Sequence, residues 1–276
     1  MKKYTSLFVF LILVFSFISC EKVIDVDLNT AAPRLVVDAA LKWEKGTDGA
    51  TQKIVLSTTT GYFDQTIPKV SGATVLVTNS NEVDFIFLET VPNSGEYICS
   101  NFIPVLDETY VLTIVLNGVT YTATETLNAV PSIDKIEQKD NAGVLGNNIE
   151  VKFFYTDNGL KDEFYLYRHQ LSTYAVPEYR VSSDDFYNGN QFFSRYSNED
   201  IKKDDTIDFT LSAISEGYFN YLQVLLDIAG SASGGGPFQS PPATVRGNII
   251  NTTDSNNYAL GFFSVSETAH VLYVVQ

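Results

Sequence analysis

The chain has 276 residues, a formal net charge of −15, two histidines and two cysteines. A surface this acidic repels phosphate backbones and anionic headgroups and favours solubility, which argues against a DNA- or RNA-binding role. The length suits one large or two ordinary domains.

The amino end has three parts. Lys2 and Lys3 form a positive n-region, and Leu7 to Ile18 is apolar but for Ser16. Charge then begins at Glu21. A bilayer-spanning helix needs about 20 apolar residues, so this shorter run reads as the h-region of a signal peptide over residues 1–19. Phe17-Ile18-Ser19-Cys20 is similar to the lipobox of bacterial lipoproteins, with Ile18 bulkier than usual. That likeness implies a diacylglyceryl group on the Cys20 sulfur, cleavage before it, and acylation of the new amine. Each buried methylene contributes about 0.8 kcal/mol, and two or more chains anchor stably. The alternative is a plain signal peptide with an incidental cysteine. Residues 20–31 would form a tether. With Cys20 acylated, Cys99 has no partner for an intramolecular disulfide, and in "GEYICSNF" it reads as a small apolar strand residue.

Residues 32–130 are short β runs cut by turn residues. "RLVVDAALKW", "QKIVLSTTT", "ATVLVTN", "VDFIFLE", "GEYICSN", "TYVLTIVLN" and "VTYTATETL" are seven predicted strands. Several alternate with period two. Asn117-Gly118 is a two-residue hairpin signal, because both residues tolerate the positive φ of a type I′ turn. Seven strands at this spacing predict an antiparallel sandwich of immunoglobulin type.

The stretch "VPSIDKIEQKDNAGVLGNN" changes character, with Pro131, mixed charge and isolated glycines, and it is read as the start of a second β-rich domain over 131–276. Strands are expected near 149–156, 163–171 and 206–212. Thirteen aromatics fall between Phe153 and Tyr196. They either fill a sheet core or form an aromatic binding surface, and the sheet-filling reading is preferred. "SEGYFNYLQVLLDIAG" predicts a helix over 215–229, capped by Ser215, favoured by Glu216 at its positive end and stopped by Gly230. Phe219, Leu222, Leu225, Leu226 and Ala229 would form its packing face. A loop and two closing strands follow.

Chemistry is sparsely supplied. The glycine-rich "SASGGGPFQSPP" follows a helix instead of preceding one, lacks lysine, and loses amide donors at Pro237, Pro241 and Pro242, so it is no phosphate loop. "GSASG" places Ala232 where a nucleophile elbow needs serine. His169 and His270 lie a hundred residues apart with no H-E-x-x-H, and each reads as a strand residue. Carboxylates cluster at Asp157, Asp162 and Glu163, at Asp184-Asp185 and at Asp204-Asp205. Residues 157–163 lack the alternating oxygen ligands of an EF-hand loop. No catalytic residue, metal ligand or cofactor is expected; a hydrolase is the third-ranked reading. Asp184, Asp185 and Tyr187 are the candidate ligand-binding residues.

Five segments in order carry a resemblance: "CEKVIDVDLNTAAPRLVVDAAL", "PKVSGATVLVTN", "ETYVLTIVLNGVTYTATETL", "GGGPFQSPPATVRGNI" and "YALGFFSVS". Together they resemble a Bacteroidota lipoprotein family catalogued as domain of unknown function four-two-four-nine. The resemblance implies an outer-membrane lipoprotein working beside a TonB-dependent receptor, holding or passing on a nutrient noncovalently. It implies no catalytic residues, and it implies that the first domain is similar to a prealbumin-like sandwich. Acids at Glu21, Asp25 and Asp27 after Cys20 suit exposure on the cell surface over a periplasmic face. The alternative is a structural or adhesin-like surface protein.

Overall fold

The computed structural model describes residues 32–61, 64–142, 146–232 and 245–276. The signal peptide, Cys20 and the tether through residue 31 lie outside the described residues, as do residues 233–244 of the glycine- and proline-rich segment. The protein is mainly β, with one helix among the described residues.

All seven strands expected before residue 130 are present. They are β1 (Leu35–Glu44), β2 (Gln52–Thr58), β3 (Thr74–Asn79), β4 (Asp84–Glu89), β5 (Glu96–Cys99), β6 (Thr109–Leu116) and β7 (Val119–Thr126). Alternation places Val37, Ala39, Leu41, Ile54, Leu56, Val75, Val77, Leu112 and Ile114 in one core. Asn117 and Gly118 both take positive φ, 51° and 78°, and turn β6 into β7. β4 pairs with β3 through Asp84–Phe87 and with β5 through Leu88 and Glu89. It thereby joins the two sheets of this first sandwich. Cys99 is a buried free thiol in the core.

The second half holds β8 (Ile133–Ala142), β9 (Asn148–Thr156), β10 (Phe164–Leu171), β11 (Glu178–Ser183), β12 (Gln191–Asn198), β13 (Thr206–Ile214), helix α1 (Glu216–Ala232), β14 (Ile250–Asn251) and β15 (Leu260–Val274). β12-β9-β8 form a three-stranded sheet, and β11-β10-β13-β15 continue into β1 and the first sandwich. The stretch read as a change of character near 133–142 is β8. Its charges break the apolar alternation, and two register shifts mark an irregular strand at the sheet edge, where charge and bulges discourage further pairing.

Fifteen residues long, β15 spans about 50 Å at the usual strand rise. Its first part runs parallel to β1, Val36 to Glu44 against Leu260 to Thr268, and its last part runs antiparallel to β13. Odd residues face inward throughout: Phe263 and Val265 enter the first core, Ala269 the second, with Val271 and Tyr273 packed against it. At the crossing sits Glu267, buried, its carboxylate accepting from the Val130 amide at 2.8 Å and paired with Lys45 at 3.1 Å. Ile249 and Ala259 also belong to the first core, so the chain returns to it after building the second.

Helix α1 crosses the outer face of the joined sheet. Ser215 caps it, its Oγ accepting from the Tyr218 amide at 3.1 Å. Leu222 is buried, and Tyr218, Phe219 and Tyr221 pack with it over Leu166 and Ile214. The expected packing face is correct only in its first half. Leu225 and Ala229 are exposed, and Leu222 is the last residue of that face to be buried. Nor does Gly230 end the helix, which runs to Ala232; a glycine costs about 1 kcal/mol there, too little to break it.

Gly261 has φ +94°, and a Cβ there would lie 1.9 Å from the Val37 carbonyl oxygen. Substituting Gly261→Ala should destabilise the protein by about 3 kcal/mol. Thermal melts of the variant should show one cooperative transition moved to lower temperature, coincident in the near and far ultraviolet.

Candidate binding surface

The thirteen aromatics between Phe153 and Tyr196 divide by register. Phe153, Tyr155, Tyr165, Tyr167, Tyr187 and Tyr196 are buried in the second core. Phe154 and Phe193 lie side by side on the opposite face of the three-stranded sheet, ring centroids 5.3 Å apart. Lys135 and Lys152 sit over them at 4.4 and 4.5 Å. Tyr174, Tyr179 and Phe186 are exposed.

The buried tyrosines need partners for their hydroxyls, and they find them in one another. Tyr155 Oη lies 2.6 Å from Tyr167 Oη and 3.1 Å from Tyr187 Oη, which in turn meets Ser182 Oγ at 3.0 Å. Tyr187 stacks on Phe192 with centroids 3.8 Å apart. Burial pushes the Tyr155 and Tyr167 pKa values far up, so these hydroxyls stay neutral donors and acceptors.

His169 is also wholly buried, stacked on Tyr196 at 5.0 Å, with Nε2 3.1 Å from Ser194 Oγ. Desolvation, aided by the Arg180 charge, lowers its pKa to about 3. It is a neutral core histidine. His270, in contrast, lies at the surface of β15 between Glu44 and Asp208.

Three carboxyls brace two loops at the end of this core. Asp157 Oδ2 accepts from the amides of Gly159 at 3.2 Å and Gly189 at 2.7 Å. The Tyr165 hydroxyl reaches Asp157 Oδ1 and Glu163 Oε2, both at 2.6 Å. Asp184 Oδ2 accepts from the Glu163 amide at 3.0 Å, and the Tyr187 amide donates to the Asp184 carbonyl at 2.7 Å. The loops touch at two glycines: a Cβ on Gly159 would meet Gly189 Cα at 2.6 Å. Desolvation, with the adjoining Asp157 carboxyl, raises the Glu163 pKa, and desolvation raises that of Asp184.

This brace holds the loop tips out in water. Leu160 is 88% exposed and Phe186 98% exposed, beside Asp162 and Asp185. Lys161 Nζ reaches Asp107 Oδ1 at 3.5 Å, so the 157–163 loop adjoins the loop of the first sandwich that exposes Ile103, Val105 and Leu106. Of the three candidate ligand-binding residues, Asp184 and Tyr187 are buried parts of the brace. Asp185 alone points to solvent, accepting from Ser183 Oγ at 2.6 Å. Sequence reasoning missed Leu160 and Phe186, whose only signal is a large apolar residue within a glycine- and aspartate-rich turn. Among the described residues no group of three or more His, Cys, Asp or Glu is arranged to hold a metal ion.

Both Glu163 and Asp184 have folded-state pKa values above their ordinary ones, so the native state favours their neutral forms. That contribution is complete below the ordinary values and is lost as pH rises through the raised ones. The melting temperature should therefore fall as pH increases above the ordinary glutamate value of 4.5. Glu163→Gln, neutral at every pH, should flatten the profile; an unchanged slope in a pH series of melts would count against the brace.

Solved structures with a likeness to the chain include two fibronectin-domain segments and a DUF4785 family protein. The chicken CNTN1 FN1-FN3 domains match with 12% identity and a TM-score of 0.26 over 64% of this chain and 62% of theirs. The chain thus spans about three fifths of that segment. The segment of two fibronectin type-III domains from chicken tenascin matches with 13% identity and a TM-score of 0.21, over 66% of this chain and 90% of that one. A DUF4785 family protein from Legionella pneumophila matches with 10% identity and a TM-score of 0.25, over 67% and 53%. No curated protein matches the chain. The family model described as "Domain of unknown function (DUF4249)" matches residues 21–270, and the chain belongs to that family.

Proposed function

We propose that the protein is a lipid-anchored accessory or binding component of a nutrient-uptake system at the outer membrane, partnering a TonB-dependent receptor and working without covalent chemistry. The observation that carries this reading is the braced tip. Single exposed apolar residues are common, but Leu160 and Phe186 are the most exposed large apolar side chains among the described residues, and both project from loops fixed from beneath. Rigid aromatic anchors lose little entropy on docking. Asp107, Asp162 and Asp185 lie along these loops, so the complementary partner surface is apolar with a basic rim.

The anchor is the second element of the reading. It rests on the lipobox-like Phe17-Ile18-Ser19-Cys20. The tether joins the body at the start of β1, and the second sandwich continues from the other end of that strand, where Glu44 pairs with Thr268. Two sandwiches joined end to end by one strand also suit a structural or adhesin-like surface protein, the second reading.

Two measurements test the proposal. Cys20→Ser should move the protein from the detergent phase to the aqueous phase on fractionation, and intact-mass analysis of native material should show acyl groups on the wild type alone. Phe186→Ala should leave stability within about 0.5 kcal/mol of wild type, as for exposed sites, while sharply reducing recovery of the receptor with the membrane-extracted protein. Full recovery with that variant would favour the structural reading.

A further inference from the structure

A second concave surface lies away from the braced tip, on the outer face of the joined sheet beside α1. Register defines it row by row. Tyr179 pairs with Arg168, Arg168 with Thr210, and Thr210 with His270. The next row runs Leu166, Ser212, Thr268 and Glu44, and the one after brings Lys42 opposite Ser266. These rows floor and wall a groove of about 310 Å³, within the range of small-ligand sites and far larger than one ion or water.

Its charges are ordered. Glu44 Oε1 lies 3.4 Å from His270 Nδ1, His270 Nε2 is 3.1 Å from Asp208 Oδ1, and Asp208 Oδ1 pairs with Arg168 Nη1 at 3.2 Å. Among the described residues, every charged group lining the groove except Lys42 has a charged partner. The Lys42 ammonium has no ion pair or hydrogen bond among the described residues. Crowding by the groove walls and the Arg168 charge lower its pKa, against a raising influence from Asp38. Lys42 stands on β1 and Arg168 on β10, three strands across and two rows along, about 20 Å apart at the backbone. Both long side chains line the same groove, Arg168 from its pairing with Asp208 on the β13 side. Below them are the hydroxyls of Thr210, Ser212 and Thr268.

We propose that this groove binds a small hydroxyl-bearing organic acid, its acid group held between Lys42 and Arg168 above that hydroxyl floor. An anionic oxygen group would supply the charge that Lys42 lacks and accept hydrogen bonds from both cations and from the floor. Glu44 and Asp208, already on the groove wall, would accept from the ligand's own hydroxyls. A sugar acid fits this donor and acceptor pattern and this volume. The acid group is a carboxylate or a phosphate, which present the same acceptor oxygens.

Calorimetric titration of the detergent-solubilised full chain would use galacturonate, glucose 6-phosphate and neutral galactose as probes. Saturable binding of either acid but not of galactose is expected, and the tighter acid identifies the ligand's acid group. Lys42→Gln and Arg168→Gln should each weaken it by about tenfold, the contribution of one charge-assisted hydrogen bond. Lys139→Gln, on β8 in the other sheet, should leave it unchanged. A melt of each variant separates lost binding from lost folding, and the Lys42 ammonium has no ion pair or hydrogen bond among the described residues for the substitution to break. Absence of binding by both acids, equal binding of galactose, or wild-type affinity in a folded Lys42→Gln variant would overturn the assignment.

Discussion

The structure depends on one strand keeping its two-residue alternation across two cores. If β15 slipped by a single residue between Val265 and Ala269, every side chain beyond the slip would exchange faces. The second core would then receive His270 and Leu272 in place of Ala269, Val271 and Tyr273. Glu267 occupies the crossing position and would be costly to bury alone. The Val130 amide and the Lys45 ammonium satisfy it, so the strand passes from one sandwich to the other without a break in pairing.

That continuity also places the two surfaces. Even residues of β15 all face outward, so Phe262 lies against Tyr218 and Tyr221 of the helix while His270 reaches the open groove. The groove therefore exists because β1 and β15 run parallel and deliver Lys42 and Glu44 to the same face as Arg168 and Asp208. The braced tip arises differently. Asp157, Glu163 and Asp184 spend their hydrogen-bonding capacity on loop amides and the Tyr165 hydroxyl, which leaves the adjoining Leu160 and Phe186 projecting outward.

Much of the β architecture was legible in the amino-acid sequence, and the failures have physical reasons. Strands β1 to β7 announce themselves because one side of each is core, and Asn117-Gly118 marks its turn through conformational freedom. β8, β11 and β12 do not. β8 is a charged, shifted edge strand, β11 in "EYRVSS" has no buried residue, and β12 mixes core and surface aromatics. The packing face of α1 was half legible, since periodicity tells which residues align but not how far along the helix they are covered. At the surfaces, the acidic and aromatic character of 153–196 could be read, but which residues brace and which project could not. Asp184 and Asp185 are neighbours with opposite environments, and only the hydrogen bonds of the fold separate them. The groove was out of reach entirely, because Lys42 and His270 meet through a pairing between strands more than two hundred residues apart.

The parallel pairing of β1 with β15 bears on how this polypeptide is made. During synthesis Leu35 to Glu44 emerge early, with β2 available on one flank, but the other flank stays bare until residues 260–268 arrive. Phe263 and Val265 are missing from the first core for the same interval. A nascent chain in that condition cannot close prematurely into a finished sandwich. Completion of both halves becomes a single late event, triggered by one segment locking into place.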